Sequence, residues 1–257
     1  MVVAEVEHTA IIPSKKMVSS LKKKAEPEAP RKGEPPFFMT EKMSRLSTPW
    51  SIASIRASQI DPMSLPAGVI LDAAAGSGLQ LIAFSKYLKR PALGIELDEQ
   101  VARYCAANMS LNYDDEIQRS LDRVLVGDGC SADSAISTYW SSLRESGTRA
   151  HPPIAMLHID PARPTDTQNH SIDEMQPDIK AVLKAWSKHL QLGPRGPAIL
   201  LDLSPRLDSV QRAMIDGILE TTFPGISRTW EWLSRGGGRI DWLSVWVGSI
   251  SSTNPRR

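Results

Sequence analysis

The chain of 257 residues sets 30 lysines and arginines against 29 aspartates and glutamates, a net charge of +1. That balance excludes a globally basic nucleic-acid coat, so any such surface has to be a local patch. Two cysteines, Cys105 and Cys130, supply neither a zinc ligand set nor a disulfide framework, and no apolar run reaches the roughly 20 residues of a membrane helix. The N-terminus lacks the apolar stretch of a secretory leader, and Glu5 and Glu7 disfavour a transit peptide. This cysteine usage predicts a reducing, cytoplasmic setting; no membrane partner is expected, and His158 and His170 lack the further ligands at close spacing that a metal would need, so no metal is expected either.

In chain order, residues 1–36 read as a disordered tail. Lys15, Lys16, Lys22, Lys23 and Lys24 mix with glutamates and with Pro27, Pro30, Pro35 and Pro36, leaving little to bury. The lysines read as a solvated tail, with a nucleic-acid arm as the alternative. A domain is expected over 37–248, beginning near Phe37. Thr48-Pro49-Trp50 predicts a helix N-cap followed by proline, with the helix running to about Ile60 before Asp61-Pro62. Strands are expected at 68–73, 92–97, 123–127, 154–159 and 197–203, with helices over 79–88, 101–111, 172–190 and 207–223. The strands are almost continuously apolar, as in a sheet covered on both faces. The aromatic runs 226–233 and 240–247, joined through Gly236-Gly237-Gly238, predict a hairpin. Residues 249–257 read as a loose tail. The predicted fold is therefore a doubly wound, mostly parallel, Rossmann-like α/β sheet closed by a C-terminal antiparallel hairpin.

Such sheets bind ligands at the carboxyl ends of their strands. Asp72 closes the first long strand, and Ala74, Gly76 and Gly78 lead the backbone past that end into a helix. A dinucleotide loop would place a third glycine where Leu81 stands, and the Gly-Lys-Ser/Thr of a phosphate loop is missing. A turn of the form Asp-x-x-x-Gly-x-Gly suits S-adenosylmethionine, which carries no phosphate. Glu96 ends the next strand, about 20 residues after the turn, and can accept both ribose hydroxyls. Asp128 ends the third and can accept from an adenine amino group. Each acid alone is equally well a helix cap or surface charge; three at successive strand ends point to a cofactor. Asp98 and Glu99 read as first-turn helix charges.

His158-Ile159-Asp160-Pro161-Ala162-Arg163 ends the fourth strand. Here the order and spacing of motifs resemble the class I methyltransferase superfamily. In that superfamily this slot holds Asp/Asn-Pro-Pro-aromatic in enzymes that methylate base amino groups. The present loop keeps Asp160 and Pro161, has Ala162 and Arg163, and lacks the aromatic. Asp-Pro-Ala-Arg is most similar to the THUMP-like methyltransferases, a group placed near RNA methyltransferases. Thr48-Pro49 with Arg56 resembles that family's stretch ahead of the first strand, and Glu231-Trp232-Leu233 to Trp246 resembles its late hairpin. The resemblance spans residues 40–248. The family's separate C-terminal THUMP-like domain has no counterpart before Arg257, and Ala75 stands where its first loop commonly carries cysteine.

The resemblance implies an S-adenosylmethionine-dependent methyltransferase acting on RNA at a base nitrogen. Asp160 would orient the acceptor and take its proton, Pro161 would rigidify the turn, and Arg163 would fork onto a phosphate or the cofactor carboxylate. The structural alternative has Asp160 capping the turn and Arg163 in a salt bridge. A related Asp-Pro-Pro-Arg loop serves RNA uracil-C5 methyltransferases, which need a cysteine after the next strand. Leu201 to Arg206 has none, so covalent C5 chemistry is not expected. Asp202, Ser204 and Arg206 are candidates for the substrate side, and Arg56 and Trp50 for substrate contact from the leading helix. Two other functions stay open: a small-molecule or protein methyltransferase, favoured by the neutral charge, and a non-catalytic cofactor-binding module, suggested by the missing aromatic.

Overall fold

The computed structural model describes residues 7–113, 120–162, 171–234, 236–238 and 240–252. Its strands are β1 (Thr9–Ile11), β2 (Val69–Asp72), β3 (Ala92–Glu96), β4 (Arg123–Val126), β5 (Ile154–Ile159), β6 (Ala198–Leu203), β7 (Arg228–Leu233) and β8 (Trp242–Gly248). They form one sheet in the order β1-β4-β3-β2-β5-β6-β8-β7. Strands β4, β3, β2, β5 and β6 are parallel, while β1 is antiparallel to β4 and β8 is antiparallel to both β6 and β7.

Alternation along the strands builds two apolar layers. Val69, Leu71, Leu157, Ile159 and Leu201 face one side, packed with α6 (Ala132–Glu145), α7 (Ile179–Trp186) and α8 (Ser209–Thr222). Ile70, Met156, Leu200 and Trp246 face the other, against α3 (Trp50–Ser58), α4 (Leu79–Leu88) and α5 (Glu99–Asn112). Sheet order reverses at β2, whose neighbours are β3 on one side and β5 on the other. That switch point leaves a crevice beyond the strand ends.

The C-terminal pair is a hairpin, as expected, but it is not simply appended. Helix α8 carries the chain to the far edge to form β7, and β8 then returns between β7 and β6. The expected helix over 172–190 is divided into a 3-10 turn at Ile172–Glu174 and α7, with Pro177 between them; proline supplies no N–H to a continuous helix. Helix α6 was absent from the sequence expectation.

The tail expected over 1–36 is replaced, within the described residues, by β1, by α1 (Lys15–Lys22) and by a bridge between Glu28 and Phe37. β1 completes the open edge of β4 through backbone hydrogen bonds, with Ala10 and Ile11 packed against the two core layers. Helix α1 packs on α5, with Met17 against the core. A short helix α2 (Glu41–Leu46) follows. The expected Thr48 cap is also corrected. Thr48 is buried, Pro49 holds the cap position without a side-chain bond, and Glu34 Oε1 accepts from Trp50 N at 2.7 Å. At the other end Ser249, Ile250 and Ser251 are buried rather than loose, since Ser249 N donates to Pro197 O at 3.0 Å.

Candidate active site

The glycine turn sits where β2 ends and α4 begins. Gly76 and Gly78 have φ of +52° and +80°, a region other residues enter at a cost. A Cβ on Gly78 would also lie 2.7 Å from Cys105 Sγ of α5. The turn is closed by Gly78 N donating to Ala75 O at 2.8 Å and tied to β3 by Ala75 N donating to Ile95 O at 2.9 Å. Asn108 of α5, fully buried, donates to Ser77 O at 2.9 Å and also brackets the backbone of Phe38. Asn108 was not singled out from sequence: a polar residue within a helix carries no signal until its tertiary partner is known.

Glu96 and the turn face each other directly. Its Oε2 accepts from Gly76 N at 3.0 Å and its Oε1 from Asp98 N at 3.0 Å. Burial pushes the Glu96 carboxyl above its ordinary value, and these backbone donors oppose that. Asp98 caps α5 by accepting from Val101 N, as its reading as a helix-end charge requires. Leu97, between them, is 74% exposed, an apolar side chain left beside the crevice that sequence reasoning passed over.

Asp128 follows β4, next along the same sheet edge. Its Oδ1 accepts from Cys130 N at 2.9 Å, and the loop is fixed by Gly127 N donating to Glu96 O and by Trp186 Nε1 donating to Gly129 O at 2.8 Å. A Cβ on Gly129 would collide with Ala73 O, so this loop lies flush against the first one. The structure therefore brings Asp72, Ala74, Gly76, Gly78, Glu96 and Asp128 to three adjacent strand ends.

Asp72 differs from the other two acids in being 2% exposed. Its Oδ1 accepts from Ala74 N at 3.0 Å, and its Oδ2 lies 2.9 Å from His158 Nδ1. His158 Nε2 in turn lies 3.2 Å from Asp202 Oδ2. Carboxylates only accept, so both imidazole nitrogens carry hydrogens and His158 is a cation. Burial opposes that charge, but the Asp72 carboxylate and the bonds to Asp202 and Asp72 outweigh it and raise the His158 pKa to about 10. Arg56 Nη1 bonds Asp202 Oδ2 at 2.6 Å, and its Nη2 donates to Ser244 Oγ, which donates to Asp202 Oδ1. Burial pushes Asp202 up, while the Arg56 charge and His158 pull it down to about 2. Two cations and two carboxylates cancel inside the sheet face that carries α3 and α4.

This network corrects two sequence assignments. Arg56, 1% exposed, and Asp202, 3% exposed, are not poised for substrate; they hold β6 and β8 to α3. Ser204 is buried too, leaving Arg206 exposed. Trp50 packs on Phe37 with ring centroids 5.9 Å apart.

Asp160, half-buried at the end of β5, accepts from Gln80 Nε2 at 2.6 Å. Gln80 Oε1 lies 3.4 Å from Arg56 Nη1, and because arginine only donates, the Gln80 amide must turn its NH2 toward Asp160. Gln80, two residues beyond Gly78, thus joins the glycine turn to the loop that follows β5. Sequence alone gave no sign of it. Pro161 is buried, and Ala162 and Gln176 exchange backbone hydrogen bonds of 2.7 and 3.0 Å that brace the loop. Arg163, expected beside Asp160, lies outside the described residues, as does His170. Arg228 of β7 pairs with Asp216 at 2.6 Å and Glu220 at 3.1 Å.

Both thiols are held in the protonated form. Burial, with Asp72 and Glu96 nearby, drives Cys105 well above its ordinary value, and burial with Asp128 nearby takes Cys130 to about 12. Among the described residues no three His, Cys, Asp or Glu side chains form a metal-holding group, and no helix is long and apolar enough to cross a membrane.

No family model and no curated protein sequence matches this chain. Several solved structures resemble it in fold. One is the precorrin-6Y C5,15-methyltransferase of Geobacter metallireducens, with 12% identity over 82% of this chain and 93% of that one, at a TM-score of 0.49. Another is a SAM-dependent methyltransferase of Agrobacterium tumefaciens, with 12% identity over 77% of this chain and 59% of that one, at 0.46. A third is a Streptococcus mutans protein classed among methyltransferases and solved in complex with SAH, with 12% identity over 79% and 98%, at 0.47.

Proposed function

We propose that this chain is an S-adenosylmethionine-dependent methyltransferase that methylates RNA at a base nitrogen. The observation that carries the cofactor is the pairing of the Glu96 carboxylate with Gly76 N at the switch point of the sheet. It sets an acidic acceptor for vicinal hydroxyls against a turn with no provision for phosphate.

Asp72 shapes the turn through Ala74 N rather than by standing open to the crevice. The backbone of Ala74, Gly76 and Gly78 would line the amino-acid end of the ligand. Glu96 would accept from the ribose, Leu97 would offer apolar surface to the adenine, and Asp128 would accept from its amino group. The bound cofactor supplies an electrophilic methyl carbon on a sulfonium centre. Asp160, held by Gln80, would accept hydrogens from the acceptor amine and so orient it. Pro161 keeps that turn rigid, and Arg163 forks onto a phosphate or carboxylate.

RNA as the acceptor rests on the resemblance of Asp160-Pro161-Ala162-Arg163, Thr48-Pro49 with Arg56, and the late hairpin to the THUMP-like methyltransferases. Incubation with methyl-labelled S-adenosylmethionine and unmodified total RNA tests it. Label should enter RNA as a methylated base. Transfer only to a metabolite or peptide pool overturns the RNA reading in favour of a small-molecule or protein acceptor, to which the balanced charge is suited. Failure of any acceptor with tight cofactor binding leaves a binding module.

A further inference from the structure

The segment ahead of the domain holds a feature that the cofactor loops do not account for. His8 is 7% exposed, immediately before β1. The antiparallel register Thr9↔Val126 brings it beside Gly127, where a Cβ would run into its imidazole ring. His8 Nε2 lies 3.1 Å from Asp128 O, and Nδ1 lies 3.0 Å from Ser134 Oγ of α6. A carbonyl only accepts, so Nε2 carries the hydrogen and Nδ1 is left to accept from the Ser134 hydroxyl. Burial, which lowers the His8 pKa, favours this neutral form.

Asp128 O thereby accepts twice, from Ser131 N at 3.0 Å within its own loop and from His8 across the sheet edge. The Asp128 carboxylate is carried on that backbone and meets Cys130 at both its N–H, 2.9 Å from Oδ1, and its thiol. We infer that His8 is a positioning residue for the adenine end of the cofactor site, so that the N-terminal strand is part of that site rather than a tail beside it. This inference rests on the cofactor reading above. Its physical content is that a side chain just ahead of β1 restricts the direction in which Asp128 presents its acceptor.

The test uses the full chain and calorimetric titration with S-adenosylhomocysteine and with S-ribosylhomocysteine, which keeps the ribose and amino-acid end but has no base. His8→Gln retains an N–H donor near the Nε2 position; His8→Leu fills similar volume without one. Gln should bind S-adenosylhomocysteine within about threefold of wild type, and Leu about tenfold more weakly, the effect of one lost hydrogen bond. Neither substitution should alter S-ribosylhomocysteine binding. Equal weakening of both ligands in both variants means that His8 only supports the fold, and wild-type affinity in His8→Leu means that it positions nothing; either result overturns the inference. Absence of S-adenosylhomocysteine binding by wild type overturns the cofactor reading itself and is distinguishable from both.

Discussion

Replacing Asp202 with Asn removes one charge from the buried set of Arg56, His158, Asp72 and Asp202 while keeping the side chain's shape. In the native protein the two cations and two carboxylates cancel. His158 is raised from 6.5 to about 10, so its stabilising contribution is complete below pH 6.5 and is lost as the pH rises toward 10. Asp202 is lowered from 3.8 to about 2, so its contribution is present above pH 3.8 and is lost as the pH falls toward 2. At about 1.4 kcal/mol per pH unit the His158 interval has an upper bound of about 5 kcal/mol. Arg56 cannot give up its charge, so in Asp202→Asn the excess proton leaves His158. Breaking one member of a buried pair costs about 3–5 kcal/mol, the same order. Urea unfolding should show that loss at pH 6 and a smaller one at pH 9, where the native protein has begun to lose the same term. Imidazole nitrogen shifts at pH 7.5 should report His158 doubly protonated in wild type and neutral in the variant. A neutral His158 in wild type, or a variant as stable as wild type at pH 6, would refute the charge assignment.

Asp72→Ala strips Ala74 N of its acceptor and His158 of a partner, and S-adenosylhomocysteine affinity should fall about tenfold to a hundredfold by calorimetry; unchanged affinity would remove Asp72 from the site. On the proposed reading, in which Asp160 serves the acceptor side, Asp160→Asn should slow methyl transfer about a hundredfold while leaving S-adenosylhomocysteine affinity within about twofold. Equal loss of binding and rate would place it in the cofactor site instead. Gly129→Ala forces a methyl group onto Ala73 O and should cost about 1–3 kcal/mol in urea unfolding, with weaker cofactor binding; a neutral result would mean that the two loops are not in contact.

The sequence by itself determined the central layers. Runs such as Val69 to Asp72 and Ile154 to Ile159 are apolar enough that burial on both faces is their only stable use, and their ends place Asp72, Glu96, Asp128 and Asp160 along one edge of the sheet. What the sequence could not rank was the work of each acid. Asp72 and Glu96 both end apolar strands, yet the first is committed to His158 and the second to Gly76, a difference set by which strand lies next to β2. Only the tertiary structure turned His8, Gln80, Asn108 and His158 into members of the site, because each acts on a partner at least 30 residues away. The same holds for β1, where composition counts the side chains available to bury and the edge of β4 supplies backbone hydrogen bonds that composition does not register. Local patterns report which face a residue needs to hide; the neighbours it meets on that face are decided by the order of the strands.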